Sequence, residues 1–218
     1  MTGEAAEGGG GGLAALVDRL PDLSECRPQI AAATDLLIAV FENGGKLLLC
    51  GNGGSAADCE HIAGELLKGF ERKRPLSQEV RGKLAAQGPE GADLAAKLQQ
   101  ALPTISLTGH ISLATAFAND VDPALIFAQL VTALGRPGDA LLAISTSGNA
   151  RNVVLAARAA GALGMRTLAL TGRGGGALAP LCDVSIIAPG GTVAEVQERH
   201  LPIYHHLCRE IESHFFPE

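Results

Sequence analysis

Short, largely apolar runs, each emptying into a loop of Gly, Ser, Thr or Asn, set the rhythm of the chain from residue 46 onward. Lys46–Cys50 (KLLLC) leads into GNGGS, Thr104–Leu107 (TISL) into TGH, Ala140–Ile144 (ALLAI) into STSGN, and Thr167–Leu170 (TLAL) into TGRGGG. A fifth run, Asp183–Pro189 (DVSIIAP), precedes the last helical pattern. A strand with one wet face alternates apolar and polar residues. Runs without that alternation predict strands buried on both faces, hence a parallel sheet with right-handed helical crossovers. The fold class is α/β: doubly wound, a five-stranded parallel sheet flanked by helices. Ahead of the first run, Ile30, Ala33, Leu37, Ala39, Val40 and Phe41 recur at helical spacing. Between Leu13 and the stop at Asn43-Gly44-Gly45 they predict one packing helix.

Two segments stand outside this rhythm. Glu71–Pro103 is too long for an ordinary connection. It predicts an inserted helical hairpin, lined on one side by Leu84, Leu94 and Leu98 and broken at Gly88-Pro89-Glu90-Gly91. Residues 1–12 (MTGEAAEGGGGG) have nothing to bury and are expected to be a disordered leader before a single domain over 13–218.

Composition narrows the function. With 218 residues, 47% of them hydrophobic, the chain can bury one sizeable core. Only 3% are aromatic and there is no Trp, which speaks against a base-stacking platform. A net charge of −6 argues against a non-specific nucleic-acid or anionic-membrane surface. No apolar run approaches a membrane span, and the first basic residue is Arg19, so no charged region precedes a signal-like stretch. Five widely spaced cysteines without a C-x-x-C pair read as free thiols in a reducing compartment. The expectation is a cytoplasmic protein that binds neither nucleic acid nor membrane.

The glycines fall where a parallel sheet binds ligands, beyond the carboxyl ends of its strands. At Gly51-Asn52-Gly53-Gly54-Ser55 the backbone can approach an anion, and the following helix presents the positive end of its dipole. At Ser145-Thr146-Ser147-Gly148-Asn149, hydroxyls and backbone donors can cradle a phosphate without Lys or Arg. Such residues also cap helices in most proteins, which is the plainer reading of either loop alone. GNGGS lacks the six-residue glycine spacing of a dinucleotide turn, and no GxxxxGK[ST] occurs, so a small phosphorylated molecule is favoured over ATP or NAD.

His61 and Glu65 lie four apart on one helix face, and Gln197 and His205 lie broadly on one face of the last helix. Two imidazoles, a carboxylate and an amide oxygen suit zinc. Spacing alone is a weak signal here, because His200, His206 and His214 share the last helix and an H-x-x-x-E pair is usually a solvated contact.

CGNGGSAADCEHIAGEL, AFANDVDP, ISTSGNARNVV and VQERHLPIYHHL, in that order, resemble the phosphoheptose isomerases of the sugar-isomerase (SIS) fold. The resemblance runs from about Gly44 to Phe216 apart from Glu71–Pro103. It implies a flavodoxin-like sheet and a homotetramer with sites built between subunits. It also implies conversion of sedoheptulose 7-phosphate to D-glycero-D-manno-heptose 7-phosphate through an enediol, the first step of nucleotide-activated heptose biosynthesis such as that serving lipopolysaccharide. It implies one zinc per subunit on His61, Glu65, Gln197 and His205, with Glu65 as candidate base and His205 as candidate acid. Substrate contacts are implied at Asn52, Gly53, Gly54, Ser55, Glu65, Asn119, Asp120, Ser145, Thr146, Ser147 and Gln197.

Two departures bear on substrate. Ala150 follows STSGN where the family often has another Ser, removing one hydroxyl, and Glu71–Pro103 is longer than in well-known members and could cover the site. Two other functions share the loops. One is a non-catalytic SIS protein that binds a replication initiator, but that relative lacks the equivalents of Glu65 and His205. The other is a sensor or isomerase for a different sugar phosphate.

Overall fold

Strands form where the apolar runs predict them: β1 (Leu47–Gly51), β2 (Thr104–Ser106), β3 (Ala140–Ser145), β4 (Arg166–Gly172) and β5 (Val184–Ala188). They belong to a computed structural model that describes residues 12–217, so the expected leader, save Gly12, lies outside the described residues. Every strand pair is parallel, in the order β2-β1-β3-β4-β5. That is the flavodoxin-like order, whose reversal between β1 and β3 opens a crevice at the carboxyl ends of those two strands.

The absence of alternation has a direct cause. Leu47 and Leu49 face the layer of α2 (Arg27–Glu42), α3 (Gly54–Leu67) and α9 (Val193–Phe215). Leu48 and Cys50 face the layer of α7 (Ile126–Leu134) and α8 (Arg151–Ala162). Both faces of β1 are buried, as are both faces of β3.

The helix predicted over Leu13–Asn43 is instead two: α1 (Leu13–Arg19) and α2, joined by a 3-10 turn at Pro21–Cys26. Proline lacks an N–H and its ring clashes with the preceding turn, so Pro21 and Pro28 each open a new helical segment rather than continue an old one. Leu16, Leu23 and Ile30 still reach the same core.

The inserted hairpin forms as α4 (Gln78–Ala85) and α5 (Pro89–Lys97), turning at Gly88 with φ 91°. Its seam differs from the one predicted. Gly91 lies so close to the Leu84 carbonyl that a side chain would collide, and Ala95 is buried, whereas Leu94 and Leu98 are each 47% exposed. Close helix approach selects small residues at the seam and turns the large ones outward. An antiparallel bridge between Pro75 and Gln99 closes the base of the hairpin, whose helices pack chiefly on each other. Among the described residues no helix is long and apolar enough to cross a membrane.

Candidate active site

The crevice at the β1–β3 switch point is walled by the two loops singled out in the sequence. GNGGS turns from β1 into α3, with Gly53 at φ 54° and Ser55 buried. A Cβ on Gly51 would stand 2.8 Å from the Ser55 carbonyl oxygen, so only glycine fits this close turn. Ser145 ends β3 buried, Thr146 is half-buried and Ser147 is exposed, its hydroxyl accepting the Asn149 N–H at 3.2 Å. The loops are joined by a reciprocal amide pair: Asn52 Nδ2 donates to Asn152 Oδ1 at 2.8 Å, and Asn152 Nδ2 donates to Asn52 Oδ1 at 2.9 Å. Asn152 was not singled out in the sequence, since its partner lies 100 residues away. Ala150 opens α8 without a side-chain cap, which leaves first-turn N–H groups facing the crevice end of the helix. The residues that follow the third glycine loop, Arg173–Gly176, brace STSGN: Leu178 N donates to the Gly148 carbonyl at 2.9 Å and Ala177 N to Asn149 Oδ1 at 3.0 Å.

Further along α3, three of the expected ligands converge. His61 Nε2 lies 3.3 Å from Glu65 Oε1 and 3.5 Å from His205 Nε2. Burial, and then His61, lower the proton affinity of His205. Glu65 is mostly sheltered, and its second oxygen accepts from Lys68 Nζ at 2.7 Å. The Phe70 ring, just before the inserted segment, lies 5.3 Å from the His205 ring and borders the cluster.

Behind His61 stands a pair the sequence did not advertise. Tyr204, almost fully buried, places its hydroxyl 3.0 Å from His61 Nδ1 and 3.4 Å from Asp58 Oδ1. Burial and the Asp58 carboxylate push the Tyr204 hydroxyl well above its ordinary range, keeping it a phenol. Burial raises Asp58 as well, against the hydrogen bond from Tyr204.

The other expected residues sit apart from this cluster. Gln197 packs on Gly54 at the first turn of α3, about two turns before His61. Asn119 Nδ2 donates to Asp120 Oδ1 at 2.7 Å at the exposed end of α6 (Ile111–Asp120). Among the described residues neither is hydrogen-bonded to the loops or to the histidines.

The two helices of the cluster are locked by a buried ion pair also missed in the sequence. Glu212 accepts from the Phe70 and Glu71 amides at 2.7 Å each, from the Arg72 amide at 3.1 Å and from Arg74 Nε at 2.8 Å. Arg74 in turn donates to the Leu66 and Glu65 carbonyls at 2.8 and 3.1 Å, closing the C-terminal end of α3.

Crevice loops, sheet order and helix chemistry define a class. The family model described as the SIS domain matches residues 13–99 and 87–172. A phosphoheptose isomerase of Thiobacillus denitrificans is 42% identical over 189 residues, which span 85% of this chain and 83% of that protein. The solved phosphoheptose isomerase from Francisella tularensis superposes with a TM-score of 0.73 at 33% identity, covering 92% of this chain and 93% of that one. The one from Neisseria gonorrhoeae gives 0.70 at 33%, covering 92% and 96%. The chain belongs to the phosphoheptose isomerase family of SIS-domain proteins.

Proposed function

We propose that this protein is a zinc-dependent isomerase converting sedoheptulose 7-phosphate to D-glycero-D-manno-heptose 7-phosphate. The observation that carries the reading is the convergence of His61, Glu65 and His205 from two distant helices, in a chain of this family. Among the described residues no group of three or more His, Cys, Asp or Glu side chains is already arranged to hold a metal ion, so a bound ion would have to draw these donors together. Two of the separations, both from His61, are nevertheless of the right size. A tetrahedron with bonds of ~2.0–2.1 Å has edges of about 3.3–3.4 Å, close to the 3.3 and 3.5 Å separations around His61 Nε2. Gln197 is the fourth proposed donor. It lies about 12 Å along α9 from His205, so its amide must turn toward the C-terminal end of the helix to join the set.

A bound zinc supplies Lewis-acid polarisation of the substrate oxygens. The chain's own groups do the rest. GNGGS, Ser145, Thr146, Ser147 and the free start of α8 hold the phosphate. Glu65 takes a proton from C1 while His205 gives one to O2, forming the enediol; O1 then returns a proton to His205 and Glu65 delivers one to C2, so no net proton is gained or lost. Lys68 holds the Glu65 carboxylate in place.

The homotetramer and its shared sites belong to the same proposal. Helix α6, which carries Asn119 and Asp120, buries no side chain and leaves Ile111 74% exposed, as a surface covered by another copy would be. All five cysteines are free, four of them buried, in keeping with a reducing cytoplasm. Incubation with sedoheptulose 7-phosphate should yield an aldose heptose phosphate. Glu65→Gln and His205→Ala should each lose at least ~100-fold in kcat, and chelation should abolish activity that zinc restores. Full turnover in either variant, or in metal-free protein, defeats the assignment.

A further inference from the structure

We infer that Tyr204, backed by Asp58, is a positioning residue that presents the Nε2 lone pair of His61 to the metal. This inference rests on the zinc reading above for its purpose, though not for its geometry. The Tyr204 hydroxyl sits between two groups, 3.0 Å from His61 Nδ1 and 3.4 Å from Asp58 Oδ1. A phenol has one proton to give. A carboxylate can only accept, and the other Asp58 oxygen, Oδ2, is buried without any partner, so the carboxylate needs the phenol's proton. Tyr204 therefore donates to Asp58 and accepts from His61. That places the His61 proton on Nδ1 and leaves Nε2 bare, facing Glu65 and His205. The opposite arrangement would put an N–H where the metal belongs and leave Asp58 with no donor at either oxygen.

Packing holds the arrangement still. Tyr204 is 2% exposed, and its ring meets the His61 ring edge-on at 5.4 Å between centroids. Tyr204 also immediately precedes His205 on α9, so the same turn that supplies one proposed ligand orients the other. Hydrogen-bond partners on the far nitrogen of a metal-bound histidine typically change metal affinity by ~10–100-fold. The longer distance to Asp58 makes that contact the weaker of the two.

Zinc affinity of the full-length protein, wild type, Tyr204→Phe and Asp58→Asn, is to be measured by competition with a chromophoric chelator. The His61 tautomer in metal-free protein is to be read from imidazole nitrogen shifts. Wild type should bind one zinc per chain with His61 protonated at Nδ1. Tyr204→Phe, which keeps ring volume and packing, should weaken zinc roughly ten-fold or more and shift the proton toward Nε2, with a smaller loss in Asp58→Asn. Unchanged zinc affinity in folded Tyr204→Phe, or an Nε2-protonated His61 in the wild type, overturns the inference. Failure of wild type to bind zinc would instead defeat the metal reading, and the tautomer measurement would still decide the role of Tyr204.

Discussion

The Arg74–Glu212 pair offers a quantitative test of how the two helices of the site are held. Arg74 is fully buried and Glu212 is 1% exposed. Arg74→Met removes the only charged partner that the buried carboxylate has among the described residues, and leaves the Glu65 and Leu66 carbonyls without the Arg74 donors. Breaking a buried pair by deleting one member costs about 3–5 kcal/mol, and in a domain of this size each kcal/mol lowers Tm by about 2–4 °C. A fall of roughly 10 °C is expected, measured by thermal and urea unfolding at fixed protein concentration so that any subunit association contributes equally. Glu212→Leu should be worse, because the Phe70, Glu71 and Arg72 amides lose their acceptor as well. For the same reason Arg74→Met with Glu212→Leu should not recover stability, although apolar replacement of a simple buried pair often does. A loss below ~1 kcal/mol in Arg74→Met, or recovery in the double variant, would refute the idea that this carboxylate organises the turn after α3.

Two further outcomes follow from the same structure. Gly148→Ala should destabilise the protein by at least ~1–3 kcal/mol and raise KM for the sugar phosphate, since Gly148 has φ 65° and a Cβ there would strike the Gly175 backbone; wild-type urea midpoint and KM would contradict this. Burial lowers both His200 and His206 to about 4 from 6.5. The unfolded chain therefore takes up protons on these rings below about 6.5 while the native one does not, and stability present at neutral pH is lost as pH falls from ~6.5 toward ~4, by about 2 kcal/mol per ring at pH 5. Urea unfolding at pH 7 and pH 5 should show that loss, reduced in His200→Gln and His206→Gln; equal losses in the variants would reject it.

Much of the fold was legible in the sequence because burial on both faces leaves a one-dimensional trace. Apolar runs with little alternation marked the central strands β1, β3 and β4, the shorter runs at β2 and β5 marked the edges, and glycine, serine and asparagine after β1 and β3 marked the crevice loops. Local chemistry also carried the H-x-x-x-E of α3, since one helical turn is enough to put His61 beside Glu65. Where one helix was expected over Leu13–Asn43, the prolines were the missed signal, and in the hairpin the small residues of the seam outweighed the leucines that periodicity favoured.

What the tertiary structure alone decided lies between residues far apart in the chain. His205 meets His61 because α9 packs on α3; spacing along the last helix did not separate His205 from His200 or His206, and it is burial that seals those two inside. The Asn52–Asn152 link, the Asp58–Tyr204–His61 chain and the Glu212 anchor each join segments about 100 residues apart or more. A polar residue in a sequence carries its donors and acceptors but not its partners. Side-chain periodicity records which face is buried, while the match of a particular donor to a particular acceptor arises only when sheet order and helix packing have brought them within about 3 Å.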